Sequence, residues 1–434
     1  MDKMADVLGR AGAWCGQNKY LSAIKNAFQN FMPLTIAGAI GVLWCNVLVN
    51  ESTGLGLFFK PIMALDFLNP AFQAVNFCTI SCITVGITLG IAQEIGIWNM
   101  GAERAGYIPG LVGLAAWLSV TNTSHMVDGA KEAFTGVAGN ELGATGLFTG
   151  MIIGVLSVEL FCFFEKQDAL KIKMPEQVPP GVARAFEVLV PATITLIITA
   201  CIGSACYNLT GLYLNDVIKN GIQGPLGAVG ATIPGVMIIY LVIMLFWLVG
   251  IHGNNMLSAV KEALFTPLAL ENVEKFNKGE KPTNIINMYA LQMWGEFGGS
   301  GVTIGLVIAI MIFGKREDNK AIATLSLVPG LFNINETVTF GIPMVLNPIL
   351  GIPFVFACLV TILVGYVLTV IGFCPVACLT VPWTTPPIVF GFLACGANVM
   401  GAVTQAILIV VSTVIYTPFL IAYEKYQNKQ AAEA

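Results

Sequence analysis

Charge is what this chain has least of. Of its 434 residues, 21 are Lys or Arg and 25 are Asp or Glu, 11% together, and two are His. A soluble domain carries about 25% charged residues. With 56% hydrophobic residues, a soluble fold of this length could not cover its apolar surface. That excludes a cytosolic enzyme, a disordered chain and a nucleic-acid binder. No polar stretch reaches domain length, so no soluble domain is expected. The 11 cysteines form no CxxC pair, and there is no GxxxxGK loop for ATP, no HExxH and no dinucleotide fingerprint. Cys78 and Cys82, and Cys374 and Cys378, stand four apart inside apolar stretches, without a His or carboxylate set at ligand spacing. They read as small apolar core residues. Charges such as Asp2, Lys3, Asp6, Lys19 and Lys25 interrupt the start of the chain, so no cleavable signal peptide is expected there. A net charge of −4 says little about partners.

What the chain does have is long continuous apolar runs, which read as an all-α polytopic membrane protein. A membrane barrel would show short alternating segments instead. Runs of spanning length are expected near 31–49, 71–97, 105–120, 144–164, 186–206, 230–251, 298–314, 349–373 and 399–423. Three further apolar stretches are broken: 252–270 after Gly250-Ile251-His252-Gly253, 323–347 around Pro329-Gly330 and Asn333-Ile334-Asn335-Glu336, and 374–395 with Pro375, Pro382, Pro386 and Pro387. Irregular backbone at membrane depth is tolerated only where protein or a watery cavity surrounds it, and such segments point to a transporter's substrate site. All three lie in the second half of the chain. Positive charge gathers at the start of the chain, in 165–184, at Lys315-Arg316 and Lys320, and at Lys425 and Lys429. This bias puts both termini on the cytoplasmic side and gives an even number of spans, about ten. Gly86 and Gly90, and Gly146, Gly150 and Gly154, are spaced by four and allow close helix contact.

Scarcity singles out two residues. From Ala321 to Tyr423 the one charged residue is Glu336, and from Asn220 to Val260 the one titratable group with a pKa near neutral is His252. Intramembrane ionisable groups are costly, so each asks for a reason. Both stand in broken stretches beside amides: Asn254 and Asn255, Asn333 and Asn335. Carboxylate, imidazole and amides suit a ligand whose hydroxyls donate and accept. Trp247 and Trp383 offer faces for a sugar ring, so the set reads as a carbohydrate site. Glu296, in a glycine cluster, is a secondary candidate. Other readings stay open at this level. Glu336 could carry a proton or Na⁺ in a secondary transporter, or cap a helix. His252 could be a core histidine and Trp247 a core or interface residue. Glu94 could line the site or end its helix. His125, in a polar loop, reads as solvated.

Several motifs together resemble one family. Leu331-Phe332-Asn333-Ile334-Asn335-Glu336, running on to Phe340-Gly341-Ile342-Pro343 and Leu346-Asn347-Pro348, resembles the signature of phosphotransferase system (PTS) permeases, the IIC component of the lactose/cellobiose/diacetylchitobiose family. Gly250-Ile251-His252-Gly253, Gly298-Gly299-Ser300-Gly301 with Thr303, Trp383-Thr384-Thr385-Pro386-Pro387 and Val178-Pro179-Pro180 fit the same pattern. Thr337 departs from it, because the family usually has Pro after this glutamate. The resemblance implies a homodimeric bacterial cell-membrane permease of ten spans with two re-entrant hairpins. An N-terminal scaffold half would cover 1–185, ending in the linker 165–185, with 186–226 completing it. The substrate half would cover 227–434. The resemblance also implies that His252 and Glu336 bond sugar hydroxyls, that either could act as general base, and that Trp383 packs on a ring. Asn333, Asn335, Asn254, Trp247 and Glu296 would support them. The substrate would be a β-linked disaccharide, phosphorylated by a phosphocysteine on a separate IIB chain supplied through IIA, HPr and enzyme I. No cofactor, metal or nucleic acid is implied.

Overall fold

The computed structural model describes residues 10, 13, 14, 17–51, 56, 59–125, 133–175, 177–342 and 344–433. Asp2, Lys3, Asp6 and Pro343 lie outside them. Helices dominate, and the one sheet among the described residues is a two-stranded antiparallel ladder of β1 (Ser124–His125) and β2 (Phe134–Thr135), with Ser124 opposite Thr135. Among the described residues, five helical stretches are long and apolar enough to cross a membrane: Lys19–Leu48, Ala144–Glu165, Pro180–Thr210, Gly351–Val370 and Val399–Gln430. A bent pair, Lys60–Ser81 with Ile83–Met100, makes a sixth if counted as one span. Ile108–Val120, Ile233–Leu248 and Ile304–Phe313 are apolar but shorter. At 1.5 Å per residue these fall short of the ~30 Å hydrocarbon thickness on their own.

The chain separates into two compact units. One comprises Gln17–Gly38 and Ala74–Ala228; the other holds the described residues of Met1–Gly16, Ala39–Gln73 and Val229–Ala434. The first of these is built on α1 (Lys19–Leu43, up to Gly38), α2 (Ile83–Met100), α3 (Ile108–Val120), α4 (Ala144–Glu165) and α5 (Pro180–Thr210). The expected run over 71–97 is broken at Cys82, between a wide turn at Phe77–Ser81 and α2. Glycines let these helices touch: Gly150 of α4 lies against Thr84 and Thr88 of α2, and a Cβ on Gly154 would come within 3.1 Å of the Thr88 carbonyl. Gly86 and Gly90 face Phe31 and Ala27 of α1 in the same way. At the polar end of α4, buried Glu165 accepts from Arg104 Nε and Arg184 Nη1, both at 2.8 Å. Both arginines also bond Glu187. A buried carboxylate needs such partners to stay charged. Glu94 accepts from Asn26 at 2.8 Å and thereby ties α2 to α1. His125 is half-buried rather than solvated, with Nδ1 3.4 Å from Asn122 Nδ2 and Nε2 enclosed.

The second unit contains α6 (Ile233–Leu248), α7 (Ser258–Asn277), α8 (Met288–Gly295), α9 (Ile304–Phe313), α10 (Glu317–Leu331), α11 (Glu336–Gly341), α12 (Gly351–Val370), α13 (Val389–Ala394) and α14 (Val399–Glu433). Its core is one continuous apolar cluster that includes Tyr240, Trp247, Phe265, Trp294, Phe297, Phe354 and Tyr416. The stretch expected to be broken over 252–270 contains one turn at Gly253–Met256, followed by the unbroken 20-residue α7 despite Pro267. The expected span over 298–314 is helical only from Ile304. Before it, Gly298, Gly299 and Gly301 take φ of +69°, +85° and +78°. Glycine reaches those angles without a Cβ clash, so the chain turns where the helix would have begun. Between α12 and α13 the backbone is irregular, as its prolines demand. Cys374, Cys378 and Cys395 are buried in the core there.

Candidate functional site

The site is assembled from three interruptions in this second unit. The first follows α6, where Gly250 at φ +80° reverses the chain and presents His252. His252 caps the next turn: its Nδ1 accepts the Asn255 N–H at 3.2 Å. A ring nitrogen that accepts carries no proton, so in the neutral imidazole the proton sits on Nε2. The second interruption follows α10. Asn333 holds φ +63° there, a conformation asparagine tolerates better than most residues. Glu336 then opens α11. The third is the segment 371–388, which carries Trp383.

His252 Nε2 and Glu336 Oε1 stand 4.0 Å apart, with side chains 39% and 48% exposed. Trp383 is 44% exposed. These three groups keep open faces. The other candidates are committed to the frame around them. Trp247 is only 2% exposed and packs its ring against His252, with centroids 4.5 Å apart. It fixes the imidazole from behind and shows no face of its own. Asn333 accepts the Gly298 N–H at 2.7 Å and donates to the carbonyls of Trp383 at 2.5 Å and Thr385 at 3.1 Å. One amide therefore holds the tryptophan segment to the glycine loop. Buried Asn335 donates to the Ser300 carbonyl at 2.7 Å. Asn254 donates to Ser300 Oγ at 2.9 Å and accepts from Lys261 Nζ at 3.0 Å.

Glu296 is paired. Its Oε1 accepts from Lys261 Nζ and, at 2.7 Å, from the Tyr240 hydroxyl. Lys261, 6% exposed, and Tyr240 are the participants that sequence reasoning missed. A signal was present: Lys261-Glu262 is a charged pair in the middle of the apolar stretch 257–270. What hid it is that α7 continues without a break, so no irregular backbone marked it.

The family model for the phosphotransferase system EIIC component matches residues 25–358. The oligo-beta-mannoside-specific EIIC component of Bacillus subtilis (strain 168) is 33% identical over 429 residues, covering 98% of this chain and 94% of the relative. The lactose-specific EIICB component of Streptococcus mutans is 31% identical over 421 residues, covering 96% of this chain and 71% of that one. The crystal structure of ChbC, the IIC component of the N,N'-diacetylchitobiose-specific phosphotransferase system, superposes with a TM-score of 0.88 at 29% identity, covering 97% of both chains. This chain belongs to the phosphotransferase system EIIC family, the integral membrane sugar permeases of that system.

Proposed function

We propose that this permease takes up a β-linked disaccharide of the cellobiose, lactose or diacetylchitobiose type and presents it for phosphorylation by a IIB protein. The relatives' sugars support the substrate class: an oligo-beta-mannoside, lactose and N,N'-diacetylchitobiose, all saccharides with β-linkages. The lactose relative is an EIICB, which supports IIB as the partner. IIA, HPr and enzyme I would act behind it.

The observation that carries the reading is the facing of His252 and Glu336 at 4.0 Å. A hydroxyl oxygen can sit within hydrogen-bond reach, about 2.8 Å, of both atoms at once. There it accepts from His252 Nε2–H and donates to Glu336, so both of its hydrogen-bonding capacities are met. With Nδ1 engaged by Asn255, His252 is the donor and Glu336 the base. Glu336 takes the hydroxyl proton as the oxygen–phosphorus bond forms and the sulfur–phosphorus bond of the IIB phosphocysteine breaks. The exposed face of Trp383 packs on a sugar ring. Thr337, in place of the usual proline, adds a hydroxyl and an N–H beside this base.

In this reading, residues 227–434 carry the sugar and move as a body in an elevator-type cycle, with re-entrant segments near 252–270 and 323–347. Residues 1–226 form the scaffold of a homodimer of ten-span protomers with cytoplasmic termini, although 39–73 group in the same compact unit as the carrier. Helix contacts at Gly150 and Gly154 support a rigid scaffold, and the confinement of His252, Glu336 and Trp383 to one unit supports a single carrier.

The deciding measurement is uptake into membrane vesicles with and without phosphoenolpyruvate and the PTS relay, alongside sugar titration of purified protein. Accumulation requires the relay and IIB. Glu336→Gln loses a charge-assisted bond of about 1.5–3 kcal/mol and weakens binding about tenfold or more. Relay-independent uptake that collapses with an uncoupler would establish the competing reading, proton or Na⁺ coupling through Glu336.

A further inference from the structure

We infer that Lys261 and Ser300 are positioning residues for His252, acting through Asn254; this rests on the sugar-site reading above. The hydrogen bonds form an unbroken chain across the unit. The Tyr240 hydroxyl donates to Glu296 Oε1, which Lys261 Nζ also contacts. The same ammonium donates to Asn254 Oδ1 at 3.0 Å, and Asn254 Nδ2 donates to Ser300 Oγ at 2.9 Å. Asn335 Nδ2 then donates to the Ser300 carbonyl at 2.7 Å. Asn254 lies two residues after His252, and Asn335 lies one before Glu336. Ser300 is thus the point where the His252 turn and the Glu336 turn meet.

The loop around Ser300 has little freedom. A Cβ at Gly299 would collide with Asn335, and one at Gly301 with Phe354. Val302 is held at φ +50°. A β-branched residue persists there only where its surroundings over-determine it. Thr303 Oγ1 donates to the Gly298 carbonyl at 2.6 Å and the Tyr416 hydroxyl to the Gly301 carbonyl at 2.7 Å, fixing the loop at two further points. Lys261 also neutralises Glu296. With Glu296 paired, Glu336 is the exposed carboxylate left beside His252.

Shifts of about 1 Å in a reacting group can cost two orders of magnitude in rate, so a framework of this kind has functional consequences without touching sugar. The test is a set of titrations with cellobiose, lactose and N,N'-diacetylchitobiose on purified protein. Ser300→Ala removes one neutral hydrogen bond and leaves the backbone bond to Asn335, so its expected cost is a weakening of about fivefold. Ser300→Thr, which keeps the hydroxyl, restores most of it. In a His252→Gln background, Ser300→Ala weakens binding by no more than about twofold, because the group it positions is already gone. Lys261→Met alone leaves Glu296 uncompensated and can fail to fold. The charge-neutral Lys261→Met, Glu296→Gln double variant is therefore measured with it and shows the same dependence on His252. Lys278→Met, which breaks an exposed pair with Glu274, leaves affinity unchanged. Equal losses from Ser300→Ala in both backgrounds, or no loss at all, overturn the positioning inference alone. Unchanged affinity in both His252→Gln and Glu336→Gln overturns the sugar-site reading itself.

Discussion

At the residue scale, the candidate site separates groups with open faces from groups that hold them in place. His252, Glu336 and Trp383 keep open faces, while the amides of Asn333, Asn335 and Asn254 are spent on backbone and on neighbouring side chains. Asn333 is the sharpest case. Asn333→Ala leaves the Gly298 N–H and two carbonyls without their partner and puts an alanine at φ +63°. The expected loss is about 2 kcal/mol or more, read as a lower Tm in detergent together with weaker sugar binding. Asn333→Gly relieves the backbone part of that loss and none of the binding part. At the polar start of α10, Arg316 donates from Nη2 to Asp318 at 2.6 Å and from Nε at 3.0 Å. This hydrogen bonding holds the Asp318 carboxyl below its usual value of 3.8. A depressed carboxylate contributes stability above its unfolded pKa and loses it as pH falls through the folded value. The stability gap between the protein and Asp318→Asn therefore closes as pH is lowered from about 5 to about 3, as thermal melts across pH would register.

At the scale of elements, hydropathy and glycine spacing predicted a great deal. The runs over 144–164, 349–373 and 399–423 are helices, and of the glycines at spacing four Gly86, Gly90, Gly150 and Gly154 meet a neighbouring helix, whereas Gly146 meets the backbone of Glu141 just before its own helix. Gly150→Leu drives a side chain into Thr84 and Thr88. Overpacking of this kind costs about 1–3 kcal/mol, measurable as a Tm shift, whereas the same change at Gly139, which has open space around it, is nearly silent. Breaks were less legible. Pro267 sits within a continuous helix, and Cys82 interrupts a run with neither Gly nor Pro at the break. A helix tolerates a proline when packing compensates the lost bond, and a broad turn needs no special residue.

At the scale of the whole molecule, transport needs a reason for sugar to leave. On the reading proposed above, phosphorylation adds about −1.5 to −2 charges at pH 7 next to Glu336, an exposed carboxylate that faces His252. The phosphorylated sugar is expected to bind at least about tenfold more weakly than the sugar. In Glu336→Gln that gap narrows, because the repelling charge is gone. Parallel titrations with both ligands on both proteins measure it.

The class, the family and the two most isolated polar groups are legible without the fold. Those are properties of composition and of short motifs, which need no knowledge of what lies across the fold. Which candidates touch depends on how the chain folds. Lys261 and Glu296 are 35 positions apart in the chain, and Asn333 and Trp383 are 50 apart. No local period encodes such pairings. They follow from how broken helices turn their ends toward one another, and from the requirement that every polar group taken out of water find a partner. That requirement paired Glu296 with Lys261 and Tyr240, while Glu336 was left facing the imidazole.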